Sequence, residues 1–281
     1  MVAHLVSNNL SVGYGEKPVV SGLSLEIEAG ELVAIIGQNG VGKSTVVKGL
    51  AGLIQPMAGS IEIMGEDLVS LKVSHRAKKI AVLPQTLRFL RGITVAEFVT
   101  QGRYIHRPSW QRISSDDEAA IEDSLQINEL TELRDRPMDQ LSGGERQRCV
   151  LARALAQEAD ILLVDEPTAA LDARHQLWAF RRLEEVAKQG KAVVVVTHDL
   201  NLASQFADRV VYLNDGQVAA VGTPQEVLRP EKLDALLGNH YLAGTSYSGA
   251  KNEERPWFIP WWHGEGHEPK GPRHEDQGPG A

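Results

Sequence analysis

The sequence has a single cysteine, few aromatic residues and no excess of positive charge. Cys149 cannot form an internal disulfide, so nothing indicates an oxidising compartment. Its place on the apolar side of a predicted helix favours a core-filling role over that of a nucleophile. The formal net charge of −8 and the pI of about 5.6 argue against nucleic acid as a partner.

Long apolar runs are also missing. No stretch reaches the roughly 18 apolar residues that a membrane-spanning helix needs. The N-terminus has no basic segment followed by a long apolar run, so we expect no secretory signal. We therefore expect a soluble chain whose membrane role, if it has one, comes through a partner. With 281 residues, of which 42% are hydrophobic, the chain can form one large domain with an inserted lobe.

Four short apolar runs share one design, since each ends directly at a polar residue or a glycine-rich loop. Continuous runs of this length are typical of strands buried on both faces, as in a parallel sheet under helices. In such sheets ligands bind at the carboxyl ends of the strands. We therefore expect the residues after these runs to meet at one edge. The runs are LVAII (32–36), KIAVLP (79–84), ILLV (161–164) and AVVVVT (192–197).

A glycine-rich loop follows the first of these runs and precedes a predicted helix, which is the full P-loop pattern in its required context. Gly37 and Gly42 permit the tight turn, and backbone amides at the helix start face phosphate oxygens. Lys43 reaches the outer phosphates, and Ser44 coordinates Mg²⁺. The candidate nucleotide-binding residues of this loop are Gly37, Gln38, Asn39, Gly40, Val41, Gly42, Lys43, Ser44 and Thr45.

Side chains near the ends of other strands complete a candidate site for phosphate chemistry. Asp165 suits the Mg²⁺ shell, and Glu166 is the candidate base that polarises the attacking water. Gln85 can place its amide oxygen on the metal or on that water. His198 can donate to the γ-phosphate, and the alternative is a strand-end histidine with a structural role. Tyr14 can stack on adenine, and the alternative is a half-buried strand aromatic.

A second helix start with unusual residues lies far from the P-loop in the sequence. The stretch LSGGERQR (141–148) begins a predicted helix with Ser142, Gly143 and Gly144. Glycine is a poor way to start a helix unless something must approach the backbone closely. We interpret these residues as a second place where helix amides face an anion.

The remaining pattern predicts the organisation of the chain. Residues 4–31 alternate apolar and polar side chains between turn glycines, which indicates antiparallel strands. Residues 87–157 have helical periodicity. The expected fold class is α/β: a P-loop NTPase core with a mainly parallel sheet, an N-terminal antiparallel β-subdomain and an inserted α-helical subdomain at about 87–157. This domain is expected to cover residues 1–245.

The C-terminal part differs in composition. Residues 246–281 are rich in proline, glycine, histidine and charge, and we expect a disordered tail. Neither cysteine nor a helix fixes the geometry of its histidines, so a solvated tail is favoured over a metal site. Its tryptophans either pack back on the domain or mark a contact. These residues are His263, His267 and His274, and Trp257, Trp261 and Trp262.

Over about residues 4–240 the chain resembles the nucleotide-binding subunits of ABC transporters. The P-loop looks like Walker A, ILLVDEP (161–167) like Walker B and LSGGERQR like the ABC signature. Gln85 matches the Q-loop, and TAALD (168–172) matches the D-loop. The resemblance further identifies His198 as the switch histidine and Tyr14 as the adenine-stacking aromatic.

The resemblance implies ATP and Mg²⁺ as cofactors and a head-to-tail homodimer with two ATPs between its subunits. Residues 142–144 and Asp172 would then face the nucleotide together with the other subunit's P-loop. ATP binding would close the dimer, and closure would pass to integral membrane permease subunits at the cytoplasmic face of the membrane. A periplasmic or surface substrate-binding protein would be an indirect partner.

Three less specific stretches look like the importers of iron–siderophore, haem and cobalamin. They are RAKKIAVLPQ (76–85), TVAEFVTQGRYIHRP (94–108) and LDARHQ (171–176). The alternatives are an importer for another substrate such as zinc, a non-transport ABC ATPase, and an exporter, which usually carries its own membrane helices. A P-loop kinase would lack both LSGGE and Glu166. The sequence does not name the substrate, because the selective surfaces lie in the permease and the binding protein.

Overall fold

The computed structural model describes residues 3–85, 90–107, 112–168, 171–229, 233, 241–247 and 254–260. The strands are β1 (Leu5–Tyr14), β2 (Lys17–Ile27), β3 (Leu32–Gly37), β4 (Ala58–Ile63), β5 (Glu66–Asp67), β6 (Ile80–Leu83), β7 (Ile161–Asp165), β8 (Ala192–Val196), β9 (Arg209–Asn214), β10 (Gln217–Gly222), β11 (Tyr241–Tyr247) and β12 (Glu254–Pro260). The α-helices are α1 (Lys43–Leu50), α2 (Val73–Lys79), α3 (Val95–Thr100), α4 (Ser115–Ile127), α5 (Gly143–Ala156), α6 (Ala173–Lys188), α7 (Leu200–Phe206) and α8 (Pro224–Val227).

A six-stranded sheet forms the centre of the molecule, in the order β10-β9-β3-β8-β7-β6. All of its neighbouring pairs are parallel except β9 with β10, which form an antiparallel hairpin. The four apolar runs predicted to form a parallel sheet are β3, β6, β7 and β8, so that prediction is confirmed. Every residue of β7 and β8 is buried, because both faces of the sheet are covered.

Alternate side chains of the central strands enter two different cores, one on each face of the sheet. In β3, Ala34 and Ile36 belong to the larger core with α5, α6 and α7, whereas Val33 and Ile35 belong to the core with α1. This division follows from the two-residue repeat of a strand. The sheet is therefore held from both sides, and its carboxyl edge is a rigid base for the loops that follow it.

The strands β1 and β2 are antiparallel, as predicted for residues 4–31. With β4 and β5 they form a separate antiparallel sheet in the order β2-β1-β4-β5. Its apolar side chains share one core with the sheet-facing side of α1. Gly49 of α1 lies directly against Val12 of β1, where a Cβ would overlap a methyl group of the valine. This close approach places the helix that follows the P-loop between the two sheets.

The helices α3, α4 and α5 lie in the chain between β6 and β7, which are neighbours in the central sheet. Thr94 caps α3 with a capping box to Glu97. The buried Arg103 connects the helices: its guanidinium donates to Asp117 of α4 at 2.8 Å and to the carbonyl of Ala156 in α5 at 2.8 Å. The lobe that carries α5 is thus tied together by one buried cation.

Cys149 of α5 is fully buried in the core, in agreement with the role predicted for it. Burial raises the pKa of its thiol to about 12. The thiol therefore stays protonated at neutral pH and is not a nucleophile.

Part of the C-terminal segment differs from its predicted disorder. Strand β12 pairs antiparallel with β11 and packs on α7, so residues 246–247 and 254–260 lie in strands. Arg255 is buried and donates to the carbonyls of Ser204 and Ala207, and the side-chain amide of Asn201 pairs with the backbone of Phe258. These partners lie about fifty residues away in the chain, so composition could not reveal them.

Trp257 is partly exposed, and its ring lies across Gly244 of the paired strand, where it packs back on the hairpin. The other tail residues singled out in the sequence lie outside the described residues: Trp261, Trp262, His263, His267 and His274.

Candidate active site

The carboxyl edge of the central sheet brings together side chains from four strand ends, and Glu166 is at their centre. Gln85, after β6, donates its side-chain amide to Glu166 Oε2 at 2.9 Å. His198, after β8, has Nδ1 at 3.7 Å from Glu166 Oε1. Lys43, in the P-loop that follows β3, has Nζ at 4.0 Å from the same oxygen. Residues that lie far apart in the sequence therefore form one cluster at this edge.

The P-loop wraps the start of α1 through backbone conformations that favour glycine. Gly37, Gly40 and Gly42 have φ of 153°, 82° and 109°, in the region that most side chains avoid. A Cβ at Gly37 would lie 2.5 Å from the carbonyl oxygen of Leu213. Gly42 is the N-cap of α1 and supplies no side-chain cap. The first amides of α1 have no intrahelical acceptor and are therefore suited to an anion.

Lys43 is the buried cation of the site, with a side chain only 5% exposed. Its ammonium donates to the carbonyls of Gly37 and Gln38 at 2.8 and 3.0 Å, so it lies across the loop. Burial lowers the pKa of Lys43, and the nearby carboxylates of Glu166 and Asp165 oppose this effect. A phosphate bound at the loop would place negative charge beside this ammonium, in addition to the carboxylates of Glu166 and Asp165.

Ser44 and Asp165 form a pair of oxygen ligands beside the loop. The Ser44 hydroxyl donates to Asp165 Oδ1 at 2.9 Å, which connects α1 to the end of β7. Burial raises the pKa of Asp165, while the hydrogen bond from Ser44 lowers it. Gln85 donates its side-chain N–H to Glu166, and the same side chain carries an amide oxygen. Hydroxyl, carboxylate and amide oxygens are the ligands that Mg²⁺ prefers, and these residues could hold it.

Glu166 has an uncommon backbone conformation for a side chain of its kind. Its φ is 46°, in the left-handed region, and its N–H donates to the carbonyl of Val196 at the end of β8 at 3.0 Å. Such conformations cost about 1 kcal/mol or more and are concentrated at functional sites. This strand-end turn holds the carboxylate between Lys43, Gln85 and His198.

The turn that carries His198 is fixed by two residues that the sequence analysis missed. Asp199 is the N-cap of α7: its Oδ1 accepts from the amides of Asn201 and Leu202 at 2.9 Å. Its own N–H donates to Thr197 Oγ1 at 3.0 Å. An aspartate directly before a helix was the available signal. His198 itself is exposed at this turn.

Tyr14 ends β1 and is 54% exposed. Its hydroxyl accepts from Lys48 Nζ at 3.2 Å, and that ammonium also lies 5.8 Å from the ring centroid. Because Lys48 is in α1, the tyrosine stands beside the helix that follows the P-loop.

The second helix start belongs to a different part of the molecule. Helix α5 packs mainly against α3 and α4, whereas α1 packs against β1 and β7. Ser142 caps α5 and forms a capping box with Glu145, which the sequence analysis did not identify although S-x-x-E is its signature. The two bonds are Ser142 N–H to Glu145 Oε2 at 2.7 Å and Glu145 N–H to Ser142 Oγ at 3.3 Å.

The two glycines after Ser142 differ in their surroundings. Gly143 is exposed, with only a methyl group of Leu171 at 4.0 Å from where a Cβ would lie. Gly144 is buried, and a Cβ there would overlap the imidazole ring of His175 in the same chain. Asp172 caps α6 by accepting from the backbone N–H of His175 at 3.0 Å.

The ABC transporter family matches residues 20–169, more than half of the chain. The chain belongs to the ABC transporter family. It is one of the ATP-binding ATPases of that family, whose hydrolysis is coupled to transport. Among the residues of this ABC protein that the structure describes, no helix combines the length and apolar character needed to cross a membrane.

Several curated relatives of this ABC protein are importer ATPases. It is 41% identical to the probable siderophore transport system ATP-binding protein YusV of Bacillus subtilis, over 79% of this chain and 81% of that one. It is 38% identical to the ferric enterobactin transport ATP-binding protein FepC of Escherichia coli, over 84% and 88%. It is 40% identical to the hemin import ATP-binding protein HmuV of Rhodococcus jostii, over 84% and 80%.

Solved structures share the fold. A metal-chelate type ABC transporter in an inward-facing conformation matches with a TM-score of 0.79 and 29% identity, over 92% of this chain and 98% of that one. A dimeric bacterial ABC transporter cassette matches with a TM-score of 0.69 and 31% identity, over 78% and 98%.

Proposed function

We propose that this ABC ATPase energises the import of a metal chelate, such as an iron–siderophore, haem or cobalamin, through a separate permease. The convergence of Lys43, Gln85 and His198 on Glu166 carries the ATPase part of the proposal. The class of substrate is supported by the relatives, which are siderophore, enterobactin and hemin import ATPases. The metal-chelate transporter among the solved structures supports the same class.

In the proposed reaction, the phosphates of ATP lie on the first amides of α1 and against the ammonium of Lys43. Glu166 orients a water and accepts its proton as the water attacks the γ-phosphorus and the bond to the ADP oxygen breaks. Gln85 positions this water through its amide oxygen, and His198 donates to the γ-phosphate. When bound, Mg²⁺ supplies charge neutralisation on the phosphates, with Ser44, Asp165 and Gln85 as its protein ligands.

The proposed active form is a head-to-tail homodimer, in which each ATP also meets Ser142, Gly143 and Gly144 of the other subunit. Dimeric cassettes among the related structures support this arrangement. Asp172 lies at the start of α6, beside the residues that hold α5, and is proposed to face the same interface. Tyr14 is proposed to stack on adenine, because it is exposed beside the P-loop helix.

We further propose that the chain works at the cytoplasmic face of the membrane, bound to permease subunits, with a binding protein as an indirect partner. An uptake assay tests the proposal in a deletion strain that is complemented with the wild type or with Glu166→Gln. The strain is supplied with haem, ferric siderophores, cobalamin or zinc. We expect uptake of one chelate to return with the wild type only. Uptake of zinc alone would overturn the chelate assignment, and equal uptake with Glu166→Gln would overturn the role of the base.

A further inference from the structure

Two helices that the proposed mechanism treats separately are in direct contact within one chain. Helix α5 begins at the residues proposed to face the partner's nucleotide, and α6 begins just after Asp172. The imidazole of His175, in the first turn of α6, covers the backbone of Gly144. A Cβ at Gly144 would be 2.7 Å from the ring Cγ and still closer to two other ring atoms, which is well inside van der Waals contact. The ring therefore occupies the space that a side chain at this position would need.

Asp172 fixes the orientation of this ring. Its Oδ1 accepts from the His175 backbone N–H at 3.0 Å and contacts the ring Nδ1 at 2.8 Å. These hydrogen bonds, the backbone bond first, lower the pKa of Asp172, which keeps it an acceptor. A carboxylate can only accept, so Nδ1 carries the proton and Nε2 is on the side of the ring toward Gly144. The residue that caps α6 thus also holds the ring against α5.

A second contact follows one helical turn further along both helices. The ring of Trp178 in α6 lies 5.0 Å from the guanidinium of Arg148 in α5 and 5.7 Å from that of Arg182. Glu129 accepts from Arg148 at 2.7 Å and from the indole N–H of Trp178 at 3.3 Å. In α5 the two contacting residues, 144 and 148, are about one helical turn apart. In α6 their partners, 175 and 178, are also about one turn apart. The two helices therefore touch at two positions, each one turn from the other.

We propose that His175 is a positioning residue, which holds the Ser142–Gly144 helix start and the Asp172 segment as one unit that meets the partner's nucleotide. This inference rests on the proposed function, because it gives the unit a role only in an ATP-bound dimer. The glycine at position 144 is then required by the ring of the same chain. The competing explanation is that Gly144 is required by a phosphate of the partner's ATP.

A double-mutant cycle with Gly144→Ala and His175→Ala distinguishes the two explanations. The full chain of each variant is assayed for kcat and KM of ATP hydrolysis and for the affinity of a fluorescent ATP analogue. A displacement of about 1 Å can lower a rate about 100-fold, so we expect Gly144→Ala to lower kcat by about 10-fold to 100-fold. In the His175→Ala background the same substitution should change kcat by less than about 2-fold, because the clashing ring is absent.

His175→Ala alone should lower kcat several-fold while the affinity for the analogue is unchanged, since its own P-loop is intact. Arg181→Ala, an exposed change on the same helix, is the matched control and should keep the wild-type kcat. The inference is overturned if Gly144→Ala is equally harmful with and without the ring, or if His175→Ala has the wild-type kcat. If Gly144→Ala does not fold, the kcat of His175→Ala compared with that of Arg181→Ala still tests the inference. A wild type without ATPase activity would instead contradict the proposed function.

Discussion

The two helix starts proposed to meet phosphate, those of α1 and α5, are built in opposite ways. Gly42 caps α1 without a side chain, and the first turn of α1 contains no acidic residue. Ser142 caps α5 in a capping box, and Glu145 places a carboxylate in its first turn. The backbone hydrogen bond from Ser142, together with that from its side chain, lowers the pKa of Glu145, so this carboxylate is ionised.

The charged groups around the two helix starts also differ. The start of α1 lies beside the buried Lys43 and the acids at the sheet edge, which are the residues proposed to act on the phosphates. The start of α5 is satisfied by its own capping residues and held from behind by His175. A helix N-terminus therefore becomes a binding site through its neighbours. In the proposed mechanism α5 obtains those neighbours only from another subunit.

The largest effect on ATP hydrolysis is expected from removing the proposed base beside the start of α1. Glu166→Gln should lower ATP hydrolysis about 1,000-fold, because the base is lost, while ATP binding is retained. Phosphate release measures the rate, and gel filtration with ATP should show a trapped dimer. Lys43→Ala serves as the comparison, because it should lose nucleotide binding as well. A Glu166→Gln chain with ordinary turnover would contradict the role of the base.

The second-largest effect on ATP hydrolysis is expected from a substitution at the start of α5, which leaves the start of α1 unchanged. Ser142→Arg should lower hydrolysis about 100-fold or more, since a large side chain displaces the donors from the phosphate. ATP binding to the monomer should be unchanged, as fluorescence titration can show.

A mixing experiment tests whether the α1 and α5 starts of two different chains form one site. Chains with Ser142→Arg keep an intact P-loop, and chains with Lys43→Ala keep an intact α5 start. In a head-to-tail dimer the two variants together restore one complete site, so ATPase activity should reappear on mixing. The wild-type rate per chain should also rise with protein concentration at low concentration. A fully active monomer, or no recovery on mixing, would contradict the two-chain site.

The lobe that supports α5 has an ionic anchor of its own, the buried Arg103 paired with Asp117. Arg103→Ala should lower the free energy of unfolding by about 3 kcal/mol, because Asp117 is left buried without its partner. Urea unfolding of the variant measures this, and Arg134→Ala, at an exposed ion pair in the same lobe, should cost under about 1 kcal/mol.

The same pair predicts a pH dependence. Burial raises the pKa of Asp117, but hydrogen bonds from Arg103 and Ser114 outweigh it and hold the pKa at about 2, below the ordinary 3.8. A depressed carboxyl pKa gives stability that is present above the unfolded value and is lost as the pH falls through the folded value. The difference in stability between wild type and Arg103→Ala should therefore narrow between about pH 4 and pH 2. A constant difference would show that Asp117 is not involved.

The smallest effect concerns the cap of α5. Glu145→Ala removes one of the two bonds of the capping box and should lower the free energy of unfolding by about 1 kcal/mol or less. Thermal unfolding measures the change. An effect as large as that of Arg103→Ala would mean that the start of α5 is held mainly by its cap, and not by its packing on α6.

Local patterns determined much of this protein. The apolar runs predicted β3, β6, β7 and β8, because strands buried on both faces must be apolar throughout. The polar residues at their ends predicted one cluster, because the carboxyl ends of parallel strands share an edge. The glycine spacing of the P-loop predicted the start of α1, because only a tight glycine turn exposes its amides. These inferences need only periodicity and neighbours in the sequence.

Tertiary structure alone decided the contacts that join distant segments. The left-handed backbone of Glu166 depends on its bond to β8, and the order in β12 depends on carbonyls of α7. A side chain at position 144 would meet the imidazole of His175, about thirty residues later. The periodicity of the sequence does not predict such a contact. The contact forms only when α5 and α6 come together and the backbone of one helix leaves room for a ring of the other. The sequence by itself thus determined the elements and the chemistry at their ends, and packing decided which residues hold them in place.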